Sequence, residues 1–254
     1  MRSSEPAPLR VPESKAEDWF FPEPLDVGFA GFEPEAFAIL ERLRDAPHIE
    51  QYRTEKDGIR RCLTEPFKRF RDDLAVNWVL PNRLPFETEK NVFSRLLKND
   101  FGAGGCHHHL WMAFYRPGHR RLTDVQLSHS ITPNGFATGL FVGDYAKDWL
   151  LVAKQRITAQ PACFLATANA LLQEPDWKGG LYHREGKQAK VFFNDPLEEP
   201  PELLSRATGL FLRRYACRDE VLQWQGGLVR WALGTLQDLW PLYRAIVEAP
   251  PEGV

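Results

Sequence analysis

The residues best equipped for chemistry lie in one stretch of the chain. Cys106-His107-His108-His109 is a run of four side chains that can ligate metal or carry protons. A metal needs three or four donors converging on one point. On a strand, alternation would put Cys106 and His108 on one face and His107 and His109 on the other, so the string supplies at most two. His119 or His129 could complete a set if a hairpin register placed one of them across from His109. The same alternation keeps Cys106 from pairing with its neighbouring imidazole as nucleophile and base. Around the string, residues 90–121 carry six basic residues (Lys90, Arg95, Lys98, Arg116, Arg120, Arg121) against one acid, Asp100. Gly102, Gly104 and Gly105 form a glycine-rich turn inside it, where successive backbone N–H groups can make an anion-binding concavity. Trp111, Phe114 and Tyr115 supply stacking surfaces nearby.

Two functions follow from this stretch. The first is recognition of phosphate, as nucleic acid or nucleotide, or of an acidic protein partner. Its site would be Arg95, Lys98, Asp100, the three glycines, Arg116, Arg120 and Arg121. The second is a metal-dependent nuclease or phosphoesterase built on His107, His109 and His119 or His129, with Asp100. Asp100-Phe101-Gly102 spells a kinase triplet, but the companion kinase motifs are missing, as are a nucleophile elbow and a P-loop. No catalytic constellation emerges, so the leading expectation is a non-enzymatic recognition or adaptor domain without a cofactor.

The elements that must position these residues can be read from periodicity. Phe37, Leu40 and Leu43 recur at helical spacing after Pro34, which suits a first helical turn, and predict a helix over 34–46. Ile59, Leu63, Phe67, Phe70 and Leu74 predict a second over 55–76, restarted or kinked at Thr64-Glu65-Pro66. Three strands follow, at 110–115, 125–131 and 136–142, separated by turn signals at Pro117-Gly118 and Pro133-Asn134-Gly135. The middle one alternates strictly, with Val125, Leu127, His129 and Ile131 on one face and Gln126, Ser128 and Ser130 on the other. A histidine on an apolar face reads first as a core residue. Helices over 144–157, capped by Asp144, and 162–172 come next, then short strands at 180–183, 190–193 and 210–217. A last helix spans 219–247, weakened at Gly226-Gly227, with Trp224 and Trp231 sharing a face. This order describes an α+β fold: one domain over 29–248, an antiparallel sheet packed against helices, and a long C-terminal helix. Residues 1–28, with five prolines, form an extended arm that docks through Trp19, Phe20 and Phe21, and 249–254 form a tail.

The frame GFAGFEPEAFAILERLRDAPHIEQYRTEKDGIRRCLTEPFKRF, the strand segment GFATGLFVGDY, the segment GGLYHREGKQ and the closing WALGTLQDLWPLYRAI resemble the bacterial domain-of-unknown-function family 2461. The resemblance covers about residues 29–248 and rests on the order of elements. The stretch VFSRLLKNDFGAGGCHHHLWMAFYRPGHRRLTDVQL resembles segments of proteins found beside, or fused to, AAA+ ATPases of the McrB/MoxR type in bacterial conflict systems. That likeness implies a recognition or adaptor part in antiviral defence, with an AAA+ ATPase as protein partner. Members of the broader family carry an arginine and an Asp-Lys pair before the sheet. Here Arg95, Lys98 and Asp100 occupy that region in a different order.

Composition agrees with a folded chain. Of 254 residues, 43% are apolar and 26% charged, which excludes disordered and fibrous classes. The net charge of -2 gives no global pull toward nucleic acid or membrane. No apolar run approaches the length of a membrane span, and the polar, proline-rich start does not resemble a signal peptide. The four cysteines are scattered, so the chain reads as a cytoplasmic protein with reduced thiols.

Overall fold

The computed structural model describes residues 15–98, 103–185 and 187–248; Asp100 and Gly102, the first part of the arm and the tail at 249–254 lie outside the described residues. Six strands, β1 (Leu110–Phe114), β2 (Gln126–Thr132), β3 (Gly135–Val142), β4 (Trp177–Glu185), β5 (Lys187–Phe193) and β6 (Ala207–Cys217), form one antiparallel sheet in the order β1-β2-β3-β6-β4-β5. The fold is α+β, and the expected meander over the first three strands is present. Leu110 lies opposite Ile131 and Phe136 opposite the same residue on the other side.

Among the described residues, seven α-helices accompany the sheet: α1 (Pro34–Asp45), α2 (Ile49–Gly58), α3 (Glu65–Leu74), α4 (Lys147–Ala159), α5 (Pro161–Leu172), α6 (Arg218–Trp224) and α7 (Leu228–Val247). α2 and α3 belong to one helical rod that starts six residues earlier than the periodicity predicts. Wide π-type turns occupy Ile59–Thr64 and Ala75–Val79. The α-geometry resumes at Glu65 with Pro66 in its first turn, where a residue without an N–H is tolerated.

The predicted C-terminal helix is broken at Gln225–Gly227, where Gln225 takes a φ of +49°. The arm explains the break. A Cβ on Gly226 would lie 2.8 Å from the Phe29 carbonyl oxygen, so the glycine lets the chain at Phe29 cross the helix. Trp224 and Trp231 therefore sit on either side of a break and not on one helical face. Their rings are 5.8 Å apart, with the Arg214 guanidinium 5.8 Å above Trp231.

One face of the sheet carries the core. Phe114, His129 and Phe136 from β1, β2 and β3 meet Phe70 of α3, with ring centroids between His129 and these three at 5.4 to 6.4 Å. Trp78, Phe86, Trp240 and Tyr243 extend the cluster toward α7. Trp19 closes it: it is buried and stands edge-on to Trp78 and Trp240 at 5.4 and 4.8 Å. Of the expected docking residues, Phe21 packs on Trp19, whereas Phe20 is 62% exposed. Phe20 contributes backbone instead.

The arm is laced to the rod by three polar side chains that the apolar pattern does not reveal. Asn82 exchanges bonds with the Phe20 N–H and carbonyl at 2.7 and 2.9 Å. Asn77 does the same for Asp26 at 2.8 and 2.6 Å. The Asp73 carboxylate accepts from the N–H groups of Gly28 and Phe29 at 2.9 and 2.8 Å. Burial pushes the Asp73 carboxyl above its ordinary range, against the lowering effect of those two bonds. The expected cap at Asp144 does not form. α4 begins at Lys147 after Ala146, and Asp144 pairs with Arg184 at 2.8 Å. No helix among the described residues is long and apolar enough to cross a membrane.

Candidate functional site

The sheet's other face is curled. With strands about 4.8 Å apart, β1 and β5 in a flat six-stranded sheet would stand roughly 24 Å from each other. Yet His109, next to β1, and Lys190 of β5 line one cavity of about 420 Å³. Glycines permit the curl: a Cβ on Gly139 would sit 2.3 Å from Arg213 Cγ, and one on Gly180 would sit 2.4 Å from the Phe211 ring. No residue of α1 to α7 lines this cavity.

Its wall alternates polar and aromatic groups from neighbouring strands: Trp111, then Gln126, Ser128 and Ser130, then Phe141, Arg213, Tyr182 and Lys190. Gln126, Ser128 and Ser130, the polar face of the alternating strand, are the floor of the cavity. Gln126 is 1% exposed and Ser128 7%. The Ser128 hydroxyl donates to the Gly139 carbonyl at 3.2 Å, but neither amide atom of Gln126 has a hydrogen-bond partner. Aromatic rings form a ladder across β3, β4, β6 and β5: Phe141 to Tyr182 at 5.7 Å, Tyr182 to Phe211 at 5.6 Å, and Phe211 to Phe192 at 5.6 Å. Cations ride on it. The Arg213 guanidinium lies 5.4 Å from Phe141 and 5.1 Å from Phe211, and Lys190 Nζ lies 4.9 Å from Tyr182. Each such contact holds a cation over a π-face by its attraction to the ring's negative face. Among the described residues, no carboxylate lines the cavity.

The histidine string enters this site in a form that strand alternation does not predict, because β1 starts only at Leu110. His108 and His109 both line the cavity, with rings 5.7 Å apart, and His107 lies 5.0 Å from His109 on its other side. Burial, helped by His107, His108, Lys190 and Arg213, pushes His109 down to about 4. It is neutral at neutral pH. Cys106 is buried against the His48 carbonyl at 3.7 Å, and burial raises its thiol.

The metal alternative loses its geometry. Leu110 pairs with Ile131, which brings position 109 level with Thr132, while His129 faces Met112 on the helix side. His129 is fully buried, its Nδ1 bonded to the Thr138 hydroxyl at 2.9 Å, and burial pushes it down to about 3. His119 stands in the turn after Gly118, its N–H bonded to the Arg116 carbonyl at 3.2 Å. Among the described residues, no three His, Cys, Asp or Glu side chains gather where a metal could be held.

The basic edge is likewise redistributed. Arg116 is not a surface cation. It is 1% exposed, forms a bidentate ion pair with the buried Asp124 (Nε to Oδ2 3.1 Å, Nη2 to Oδ1) and lies 4.1 Å over Trp149. Arg121 stacks 4.3 Å over Trp111 and donates to the Asn91 carbonyl at 3.0 Å, and burial lowers its affinity for its proton. Arg95, Lys98 and Arg120 are exposed. In the glycine turn, the carbonyls of Gly104 and Gly105 accept from Ile49 and Lys98 at 2.7 and 3.0 Å, so this backbone is used to tie α2 and the 93–98 segment to the sheet edge. Asp100 and Gly102 lie outside the described residues. Lys190, Arg213, Tyr182 and Gln126 were missed by sequence reasoning. Only the polar side of the strict alternation at 125–131 pointed toward them. No family model matches the chain, and no curated protein matches it.

Proposed function

We propose that the chain is a recognition module that holds an anionic ligand carrying a planar ring, of the phosphate-and-base type found in a nucleotide, in the concave face of its sheet. One observation carries the reading: two cations mounted on an aromatic ladder line a 420 Å³ cavity that has no carboxylate among its described residues. Cavities of this size suit a small ligand or a single residue of a polymer. Rings stack on aromatic faces without regard to sequence, and phosphate is drawn to the lysine and arginine. Arg121, stacked on Trp111, extends the same surface toward the rim; Arg95, Lys98 and Arg120 are exposed, and Lys98 is bonded through its N–H to Gly105 of the glycine turn. The resemblance of residues 92–127 to segments found beside AAA+ ATPases supports the same role. In that arrangement this module would read a target and the ATPase partner would do the work.

The test is a titration of the purified full chain with a nucleoside monophosphate, with single-stranded RNA and with duplex DNA, each at several salt concentrations. Binding that weakens with salt, and at least tenfold on Arg213→Ala, supports the reading. Absence of binding by all three at low salt overturns it. The monophosphate and the RNA distinguish a free nucleotide from a residue of a strand.

A further inference from the structure

We infer that Gln126 reads the hydrogen-bonding edge of an unpaired nucleobase inserted into the sheet's cavity. This rests on the ligand class proposed above and adds which end of the ligand goes deepest. Gln126 is 1% exposed, stands in β2 opposite Phe141, and lines the cavity floor. Both its Oε1 and its Nε2 are buried and without partners. Buried amides are almost always satisfied in native proteins, so an amide with both ends unmet in the floor of a cavity, and closed to water, marks groups that a ligand would meet by settling into that floor. Ser128, beside it, has spent its hydroxyl on the Gly139 carbonyl and does not compete.

The chemistry of the missing partner is narrow. It must be flat enough to sit beside the Phe141 and Tyr182 rings, and it must offer a donor and an acceptor side by side, since the carboxamide presents an acceptor and a donor in one plane. Each nucleobase has such an edge, formed by a ring nitrogen and the adjacent exocyclic group. In a duplex that edge is occupied by the opposite strand, so the site selects unpaired bases. Phosphate then falls toward Arg213 and Lys190, the two cations of the same cavity.

Calorimetric titration of the full chain with uridine monophosphate, adenosine monophosphate, N3-methyluridine monophosphate and ribose 5-phosphate tests this. The expected result is that at least one unmodified nucleotide binds ten- to a hundredfold tighter than ribose 5-phosphate, and that duplex DNA binds more weakly than single-stranded RNA. If uridine monophosphate is that ligand, its N3-methyl derivative loses most of the gain. In Gln126→Leu the preference over ribose 5-phosphate collapses toward one, while Gln126→Glu, which keeps the volume and the acceptor oxygens, changes which nucleotide is preferred. Thermal melts accompany both variants. Leucine removes two unmet polar groups, so that variant should be folded and at least as stable as the parent. Equal binding of ribose 5-phosphate and every nucleotide overturns the base-reading role and leaves the anion-binding cavity standing. No binding of any of them to folded protein overturns both.

Discussion

β2 carries a buried polar residue with an unmet group toward each face of the sheet, and their surroundings differ. His129, on the helix side, is enclosed by Phe70, Phe114 and Phe136; its Nδ1 is bonded to Thr138 and its Nε2 has no partner. Gln126, three residues away, is as deeply buried but borders a cavity. An unmet nitrogen against packed rings is a cost that the core absorbs, and it forces the imidazole to stay neutral. An unmet amide at a cavity is a handle. Burial and missing partners are shared by both residues, so neither alone marks a site; the cavity that Gln126 lines and His129 does not is the difference. Arg116 and Arg213 repeat the lesson with charge. Arg116 is consumed by Asp124 and Trp149, whereas Arg213 rests on rings with no acid in the cavity wall.

That contrast can be broken most severely at Arg116. Arg116→Ala leaves the Asp124 carboxylate buried and uncompensated beside Tyr243, and should cost about 3–5 kcal/mol by chemical denaturation. Arg116→Lys loses the bidentate geometry and should recover only part of it. A loss below about 1 kcal/mol in Arg116→Ala would mean that the pair is not a lock of the helix-covered side.

Acid should separate the faces next. His129 has its folded value lowered to about 3, so the unfolded chain binds more protons below about pH 6.5 and stability falls as pH drops. From pH 6.5 to pH 4 this one residue removes about 3 kcal/mol. His109, lowered to about 4, adds to the same limb, but being only partly buried it adds less. His129→Leu should flatten the acid limb of a stability-against-pH curve measured by urea unfolding. An unchanged slope would count against a neutral His129.

The strap comes third. Asp73→Ala strands the N–H groups of Gly28 and Phe29 and should cost about 1–3 kcal/mol, with release of the arm seen as faster hydrogen exchange at Gly28 and Phe29. The neighbouring Asn82→Ala, whose bonds to Phe20 are exposed, should cost less. If the two variants melt alike, burial of the accepting carboxylate is not what holds the arm.

What was legible in the sequence divides along the same lines. The helix-covered face announced itself: Leu127, His129 and Ile131 alternate, Phe67, Phe70 and Leu74 repeat at helical spacing, and the glycine pair at 226 and 227 marks the break in the last helix. Such patterns arise from local geometry, which neighbouring residues share. The concave face was half legible. Alternation puts Gln126, Ser128 and Ser130 on one face, but nothing nearby in sequence says that a sheet will curl over them. Lys190 and Arg213 come to the same cavity from strands far apart in sequence, through the order β1-β2-β3-β6-β4-β5. Cationic clusters counted along the chain, as at 90–121, mislead for the complementary reason: Arg116 points into the core and finds an acid eight residues on. The histidine string drew attention by composition, yet register and not spacing decides which histidines meet, and it sends His129 to the opposite face.

The smallest effect sharpens the comparison furthest. Lys190→Ala and Arg213→Ala remove cations that touch only rings in the cavity wall, so neither should move the melting temperature as Arg116→Ala does. Both should act on ligand binding. Each contact with phosphate contributes counterion release, and losing one flattens the dependence of log affinity on log salt by about 0.7 for a single strand. Arg213 lies between Phe141 and Phe211 on the inner strand β6, whereas Lys190 lies on the edge strand β5 and is exposed. Arg213→Ala should therefore weaken binding of single-stranded RNA about tenfold, and Lys190→Ala by a few-fold, with similar changes of slope. A double variant whose loss equals the product of the two would show that each cation meets the ligand independently. If both singles bind RNA like the parent while the melts are unchanged, the cations are ornaments of the aromatic ladder, and the difference between the two faces of the sheet is one of packing alone.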